Sequence, residues 1–407
     1  MIRLRPFRAW RPTPDKAHLV GSRSYVSYTD DQLRDKLDGN PYSYLHIIHP
    51  DHGNDAHLSR QERFARVRRK FDEFVGEGWL KRDEIPCIYV YEQSKVGSLS
   101  RGIIAGIHVG DYRAGRVKVH EHTLQAREEL FKEYLDITGV NAEPVLLAAP
   151  GSHELDTLIS AVVLDRPHFD FTTTDKVRHR LWCVPEGNFT ERMQAHFAAI
   201  DAVYIADGHH RFASSARLAE ARGAFAEHPK AWCLAFIVPE EHLHIHNFDR
   251  AVTSLGGMDT DELLKALSEV GTLKPSPHAP TAFPDPGQVH VCTRQGWFNL
   301  TLPIPGDQAS PADRLDASVL SDAVLAPVLG IQDLRTDPHV KFIPGIQGVK
   351  TLERMVREGE AAVAFHLRPV SFDELKAVAD SGGCMPPKST YIEPKLRSGL
   401  TVYPLED

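Results

Sequence analysis

The chain has 407 residues, 42% of them hydrophobic and 25% charged, with a net charge of −8. That length is more than one ordinary core needs and predicts two domains, and the acidic balance gives no global field for nucleic acid. An anionic ligand must therefore be met by a local cluster, which makes nucleic acid an unlikely partner. The first ten residues, Met1 to Trp10, hold no run of signal-peptide length, and no stretch is long and apolar enough to span a membrane. Five cysteines (Cys87, Cys183, Cys233, Cys292, Cys384) are far apart, odd in number and without a Cys-x-x-Cys pair. They read as reduced thiols of a cytoplasmic protein rather than a disulfide frame or a thiolate zinc site.

The spacing predicts a short helix over Asp30 to Leu37, ended by Asn40-Pro41, and a strand over Tyr44 to Ile48, stopped by Pro50. Ser59-x-x-Glu62 is a capping box, and Phe64, Val67, Phe71 and Phe74 follow at helical spacing. Strands follow at Cys87 to Tyr91, Arg101 to His108 and Arg116 to His120. Thr123 is placed to cap a charged helix over Leu124 to Thr138, and Val145 to Ala149 returns to strand before Pro150-Gly151.

A second block reads as strands at Ala161 to Leu164 and His179 to Val184 and a helix from Thr190 to Ile200. Next come a short buried strand from Val203 and, beyond a break at Asp207-Gly208, a helix over Phe212 to Arg222. Trp232 to Val238 is an apolar strand and Asp259 to Val270 an amphipathic helix. Five prolines between 274 and 286 predict a loop. Strands at Val289 to Thr293, Trp297 to Leu302 and Ala361 to Phe365 follow. They alternate with helices at Asp316 to Leu329, Thr351 to Glu360 and Ser371 to Asp380. The irregular alternation predicts an α+β (mixed α/β) class, divided near residue 150 into an N-terminal domain (1–150) and a second domain (151–407). No Gly-x-Gly-x-x-Gly follows a strand, which argues against a simple Rossmann unit.

The richest segment is Val203-Tyr-Ile-Ala-Asp-Gly-His-His-Arg211. A strand that turns at glycine into a helix leaves backbone N–H groups at the turn, where the helix dipole favours an anion. Gly208, His209, His210 and Arg211 would bind phosphate there, Arg211 with a planar fork suited to it. Asp207 is available as a base or metal ligand, and equally suits a plain helix cap.

Two further constellations point the same way. In Lys118-Val-His-Glu-His-Thr123, Glu121 lies between His120 and His122 as a candidate base or metal ligand, without zincin spacing. Near the C-terminus, proline-stiffened loops present Lys388, Ser389, Lys395 and Arg397, a set suited to a nucleotide or a phosphorylated metabolite. Histidines also gather at His46/His49/His52/His57 and at His242/His244/His246, as surface usage or metal-binding loops.

Taken together, these segments resemble the domain of unknown function 1015 family. The matching pieces are Arg5-Pro-Phe-Arg8 with Arg11-Pro12, Asn40-Pro-Tyr-Ser-Tyr-Leu-His46, Tyr89-Val-Tyr-Glu-Gln93, Arg101-Gly-Ile103, His120-Glu-His-Thr123, Ala206-Asp-Gly-His-His-Arg211, Met385-Pro-Pro-Lys-Ser-Thr390 and Glu393-Pro-Lys-Leu-Arg-Ser-Gly-Leu400. They run from end to end. The Pro-Tyr-Asp that many members carry near the start is absent, and its role would fall to Arg23 and Tyr25. The Asp-Gly-His-His-Arg turn also resembles the phosphate-binding turn of the ParB/sulfiredoxin superfamily, which includes nucleotide-binding proteins, sulfiredoxins and free-serine kinases.

That resemblance implies a ParB/sulfiredoxin-like core with added α/β elements. It also implies a nucleotide-dependent phosphotransferase acting on a small hydroxylated metabolite, such as serine. Asp207, Glu121 and His210 would be catalytic, and a nucleoside tri- or diphosphate with Mg²⁺, held through Asp207 or Glu121, would be the cofactor. A phosphate-ester hydrolase in the same pocket, a metal-dependent hydrolase built on the histidines and a non-catalytic nucleotide-binding switch are the alternatives.

Overall fold

The computed structural model describes residues 1–50, 57–306 and 308–406; His52 lies outside the described residues. The class is mixed α/β. Contacts divide the chain into two compact units: residues 1–118, 122–243 and 394–407 form one, and residues 119–121 with 244–393 form the other.

The larger unit is organised by a nine-stranded sheet among the described residues. In chain order its strands are β1 (Leu4–Arg5), β2 (Cys87–Lys95), β3 (Ser98–His108), β4 (Val117–Lys118), β5 (Val145–Ala149), β6 (Phe169–Thr172), β7 (Arg178–Pro185), β8 (Val203–Asp207) and β9 (Trp232–Pro239). They lie in the order β4-β8-β5-β9-β3-β2-β7-β6, with β1 on β3, so the sheet takes strands from both sides of residue 150. Only β8/β4 and β9/β5 are parallel pairs. Val145 to Ala149 and Trp232 to Pro239 are buried throughout, as expected of central strands covered on both faces. Gly102 is needed where β3 approaches β9: a Cβ there would meet the Ile237 carbonyl oxygen at 2.0 Å.

Around the sheet pack α1 (Arg60–Gly76), α2 (Gln125–Thr138) and α3 (His209–Ala221). The capping box of α1 forms as the sequence predicts: the Ser59 side chain accepts from Glu62 N and the Glu62 carboxylate accepts from Ser59 N. Val67, Phe71 and Phe74 are its buried face.

The smaller unit carries a six-stranded antiparallel sheet among the described residues, with β10 (Phe248–Val252), β11 (Leu273–Ser276), β12 (Gln288–Thr293), β13 (Gly296–Thr301), β14 (Val340–Pro344) and β15 (Val363–His366). Their order is β11-β13-β12-β15-β10-β14. Leu263, Leu267, Val291, Leu300, Leu320 and Phe365 are fully buried in its core.

Several local readings change. Tyr44 to Ile48 is not a strand: Leu45–Ile48 is one helical turn, with Tyr44, Leu45 and Ile47 buried. A five-residue run with four apolar positions is too short for its period to choose between the two. Ala161 to Leu164 is the end of a helix (His153–Val162) capped by Ser152, whose buried face is Leu155, Leu158 and Ile159. The strand expected through His120 stops at Lys118. Thr123 does not cap α2; its hydroxyl donates to Glu128 Oε1 instead. The proline-rich stretch begins as the edge strand β11, where Pro275 is tolerated. Among the described residues, no helix is long and apolar enough to cross a membrane.

Candidate functional site

The site is built on the junction of β8 and α3. Val203 to Ala206 are buried, and Asp207 ends the strand at its half-buried rim. The pairing of β8 with β5 shifts register between Ile205 and Asp207, so that Ala206 is an extra residue opposite Leu146 and Leu147. Such a bulge re-aims the side chain that follows it. Gly208 then takes φ +100°, a conformation that only glycine adopts without strain, and an added Cβ would lie 2.9 Å from Arg211 Nε. The chain enters α3 at once, with Gly208 at the N-cap and no side chain capping the first turn. Asp207 is therefore not the helix cap.

Its carboxylate faces two cations. Arg211, one turn along α3, donates from Nη2 to Asp207 Oδ2 at 2.6 Å. Lys395 Nζ lies 3.3 Å from Asp207 Oδ1. The other guanidinium nitrogen of Arg211 donates to the Pro144 carbonyl at 2.7 Å and lies 3.3 Å from Glu143 Oε1. Burial alone would lower the Arg211 pKa, but Glu143 and Asp207 outweigh it and raise it. Arg211 is thus a fixed cation that orients Asp207.

Beside Arg211 opens a cavity of about 470 Å³. Its walls are mostly apolar and aromatic, with Phe64, Leu130, Phe131 and Tyr134 among them, while Arg211, Glu143 and Asn141 supply polar groups. Tyr25 and His49 stack nearly parallel on its wall, centroids 5.5 Å apart.

The remaining expected residues fall as follows. His209 is buried. His210 has a buried Nδ1 without a hydrogen-bond partner among the described residues; burial and Arg127 lower its pKa against the pull of Glu128. His122 is exposed. Arg397 Nη2 donates to both oxygens of Asp175, at 2.7 and 2.8 Å. In the smaller unit, the His120 carbonyl accepts from Met385 N at 2.8 Å, and Glu121 beside it is half-buried. Lys388 holds φ +55° with Nζ 5.4 Å from the centre of the Phe248 ring, and buried Ser389 donates to the Pro386 carbonyl. The larger unit thus gathers Asp207, Arg211 and Lys395 at one point, and the smaller unit ties His120 to the loop of Lys388 and Ser389. Sequence reasoning passed over Glu143 and Asp175. Each stands beside a residue far away in sequence and has no local pattern to mark it.

No group of three or more potential metal-ligating side chains occurs among the described residues.

The chain has no match among curated proteins. Similar solved structures include a free serine kinase in complex with AMP, at 14% identity and TM-score 0.39 over 78% of this chain and 95% of that one. SbnI with a C-terminal truncation, from Staphylococcus aureus, overlaps at 15% identity and TM-score 0.40 over 74% and 87%. A conserved hypothetical protein from Pyrococcus furiosus overlaps at 14% and 0.37, over 73% and 94%. Overlaps this loose assign no role to any residue here. The family model described as "Protein of unknown function (DUF1015)" matches residues 4–318, from β1 into the second unit. On that span the chain belongs to the DUF1015 family.

Proposed function

We propose that this protein is a cytoplasmic nucleotide-dependent phosphotransferase acting on a small hydroxylated metabolite, with serine as the first candidate. The observation that carries the reading is the Asp207 carboxylate, aimed by a bulge and held between Arg211 and Lys395 at the uncapped start of α3.

Each part has a chemical use. The first turn of α3, with Gly208, His209 and His210, offers backbone N–H groups to phosphate oxygens, in the manner of a ParB/sulfiredoxin-like turn. The cavity beside Arg211 is the size of a small-ligand pocket, and its aromatic walls suit a nucleoside base. The acceptor hydroxyl would attack the terminal phosphorus as the bond from that phosphorus to the nucleotide oxygen breaks. The hydroxyl proton would pass to Asp207, and the nucleotide would leave with one phosphate fewer. Lys395 would offset negative charge as the phosphoryl group moves. Mg²⁺ would be held by the nucleotide phosphates and through Asp207 or Glu121, supplying charge neutralisation. Glu121 remains the rival base.

The test is direct. Full-length protein is incubated with ATP or ADP, Mg²⁺ and serine, and the products are separated and quantified. Phosphoserine formed in step with nucleotide loss supports the reading. Nucleotide that binds, seen as a thermal shift, but is hydrolysed without any acceptor phosphorylation overturns it in favour of a hydrolase.

A further inference from the structure

The cavity of about 470 Å³ beside Arg211 is lined by a side-chain amide that no described residue satisfies. Every residue lining that cavity belongs to the larger unit. α2 ends at Thr138, Gly139 turns the chain with φ +68°, and the two-residue strand Val140–Asn141 follows. Pairing with Tyr403 and Pro404 fixes the backbone of that strand. Val140 packs into the apolar core, and Asn141, one residue on, lines the cavity. Asn141 is only 5% exposed, yet its side-chain amide has no hydrogen-bond partner among the described residues.

The surroundings of the amide are mostly apolar. Phe64 and Tyr134 meet edge to face, with centroids 5.3 Å apart at 90°, and Leu130 and Phe131 of α2 line the cavity with them. Burial, with Glu143 and Tyr25 adding to it, pushes the Tyr134 pKa up, so the phenol keeps its proton. Arg211 lines the same cavity and also donates to Asp207, so the cavity and the start of α3 share one side chain and one ligand can reach both. An amide presents a donor and an acceptor in one plane, the pattern by which Asn holds the edge of a nucleobase through two parallel hydrogen bonds. A hydrocarbon ligand would leave the amide unpaired, and a small zwitterion would leave the aromatic walls uncovered.

We infer that Asn141 is the residue that reads the base of the bound nucleotide, and that the base edge, as well as the phosphates, sets which nucleotide this protein takes. The inference rests on the nucleotide reading proposed above, and it does not depend on where the phosphoryl group goes. An amide can turn over, so Asn141 accepts either order of donor and acceptor along a base edge. A site built to pair with such an edge rejects ligands that lack it, because its buried amide is then left without partners.

The experiment uses the full chain with Mg²⁺ and compares ATP, GTP, CTP and UTP with tripolyphosphate by calorimetry. The best nucleotide is expected to bind at least about tenfold tighter than tripolyphosphate, which has no base. Asn141→Leu removes both hydrogen-bonding groups and is expected to weaken that nucleotide at least about tenfold, with tripolyphosphate unchanged within about threefold. Asn141→Asp offers two acceptors and no donor. Guanine alone among the four bases presents two adjacent N–H donors, so the affinity for GTP relative to ATP is expected to rise at least about tenfold in that variant. Melting curves of both variants report whether the fold is kept. Nucleotides that bind no tighter than tripolyphosphate overturn the assignment. So do nucleotides that bind Asn141→Leu as they bind wild type, or a GTP to ATP ratio that Asn141→Asp leaves unchanged; phosphotransfer can survive any of these results. Base-dependent binding controlled by Asn141, with no acceptor phosphorylated, upholds the assignment while the phosphotransfer reading falls.

Discussion

Replacing Asp207 with Asn separates a chemical role from a structural one. The substitution keeps the side chain's shape and an oxygen for Arg211 but removes the charge. Arg211 loses little of its anchorage, because the Pro144 carbonyl and Glu143 still hold it. The Asp207–Arg211 pair is also partly solvated, with side chains 42% and 17% exposed, so its contribution to stability is about 0–1 kcal/mol. That corresponds to a fall in Tm of a few degrees at most. A general base contributes on the order of 10²–10⁴ in rate, or about 3–5 kcal/mol of barrier. The two effects differ enough to be told apart. Asp207→Asn is expected to lower kcat at least 100-fold, with nucleotide Kd from calorimetry within about threefold, roughly 0.6 kcal/mol. Glu121→Gln, measured alongside, decides between the two carboxylates. Full turnover in Asp207→Asn with loss in Glu121→Gln moves the base to Glu121. Full turnover in both refutes the mechanism.

Gly208→Ala forces a side chain into a left-handed turn and against Arg211 Nε, so it is expected to lower stability by about 1–2 kcal/mol, read from the urea midpoint. Arg211→Ala leaves the partly solvated Glu143 and Asp207 without their shared cation and the Pro144 carbonyl without its donor, and is expected to cost about 1–2 kcal/mol; Arg211→Lys cannot reproduce the fork and should recover only part of it. Saturating ATP with Mg²⁺ is expected to slow amide exchange at residues 208 to 211, and ligand bound with no protection there counts against the helix start as phosphate site. His179 is held neutral in the fold at about 3 but titrates near 6.5 unfolded, so its contribution to stability is full above about 6.5 and is lost as pH falls toward 3. The acid limb of the stability–pH curve should flatten in His179→Gln, and an unchanged limb would mean the imidazole is solvated.

Much of the site was readable because its centre is local. A β-like run, an Asp-Gly break and a polar helix start fall within nine residues, and each has its own steric or dipolar signature. The helix begins at His209 rather than Phe212 because Gly208 itself turns the chain, so no intervening loop is needed. What surrounds that centre was harder to read. Lys395 meets Asp207 across 188 residues, and His179 meets Tyr91 across 88. His179 was visible only as one polar residue in a strand, and nothing in its neighbours marks the phenol opposite it. Elements with a full period, such as α1 and the buried strand β9, were legible. The single turn at Leu45 was not, since Leu and Ile in a run of four suit a buried turn as well as a strand.

Residues 394–407 belong with residues 1–118 and 122–243, although 150 residues of the other unit, 244–393, come immediately before them in the chain. During synthesis, β8 and α3 leave the ribosome long before Lys395, so Asp207 waits for its second cation while a whole further unit is made. The same late segment pairs Val402 with Trp10, Ser398 with Ser22 and Tyr403 with Asn141. A nascent chain ending at Leu243 thus has every strand of the nine-stranded sheet but lacks Lys395 beside Asp207. The segment from 394 onward reaches back to Trp10, Ser22 and Asn141, contacts of long sequence separation whose loop-closure entropy slows folding and delays assembly of the site.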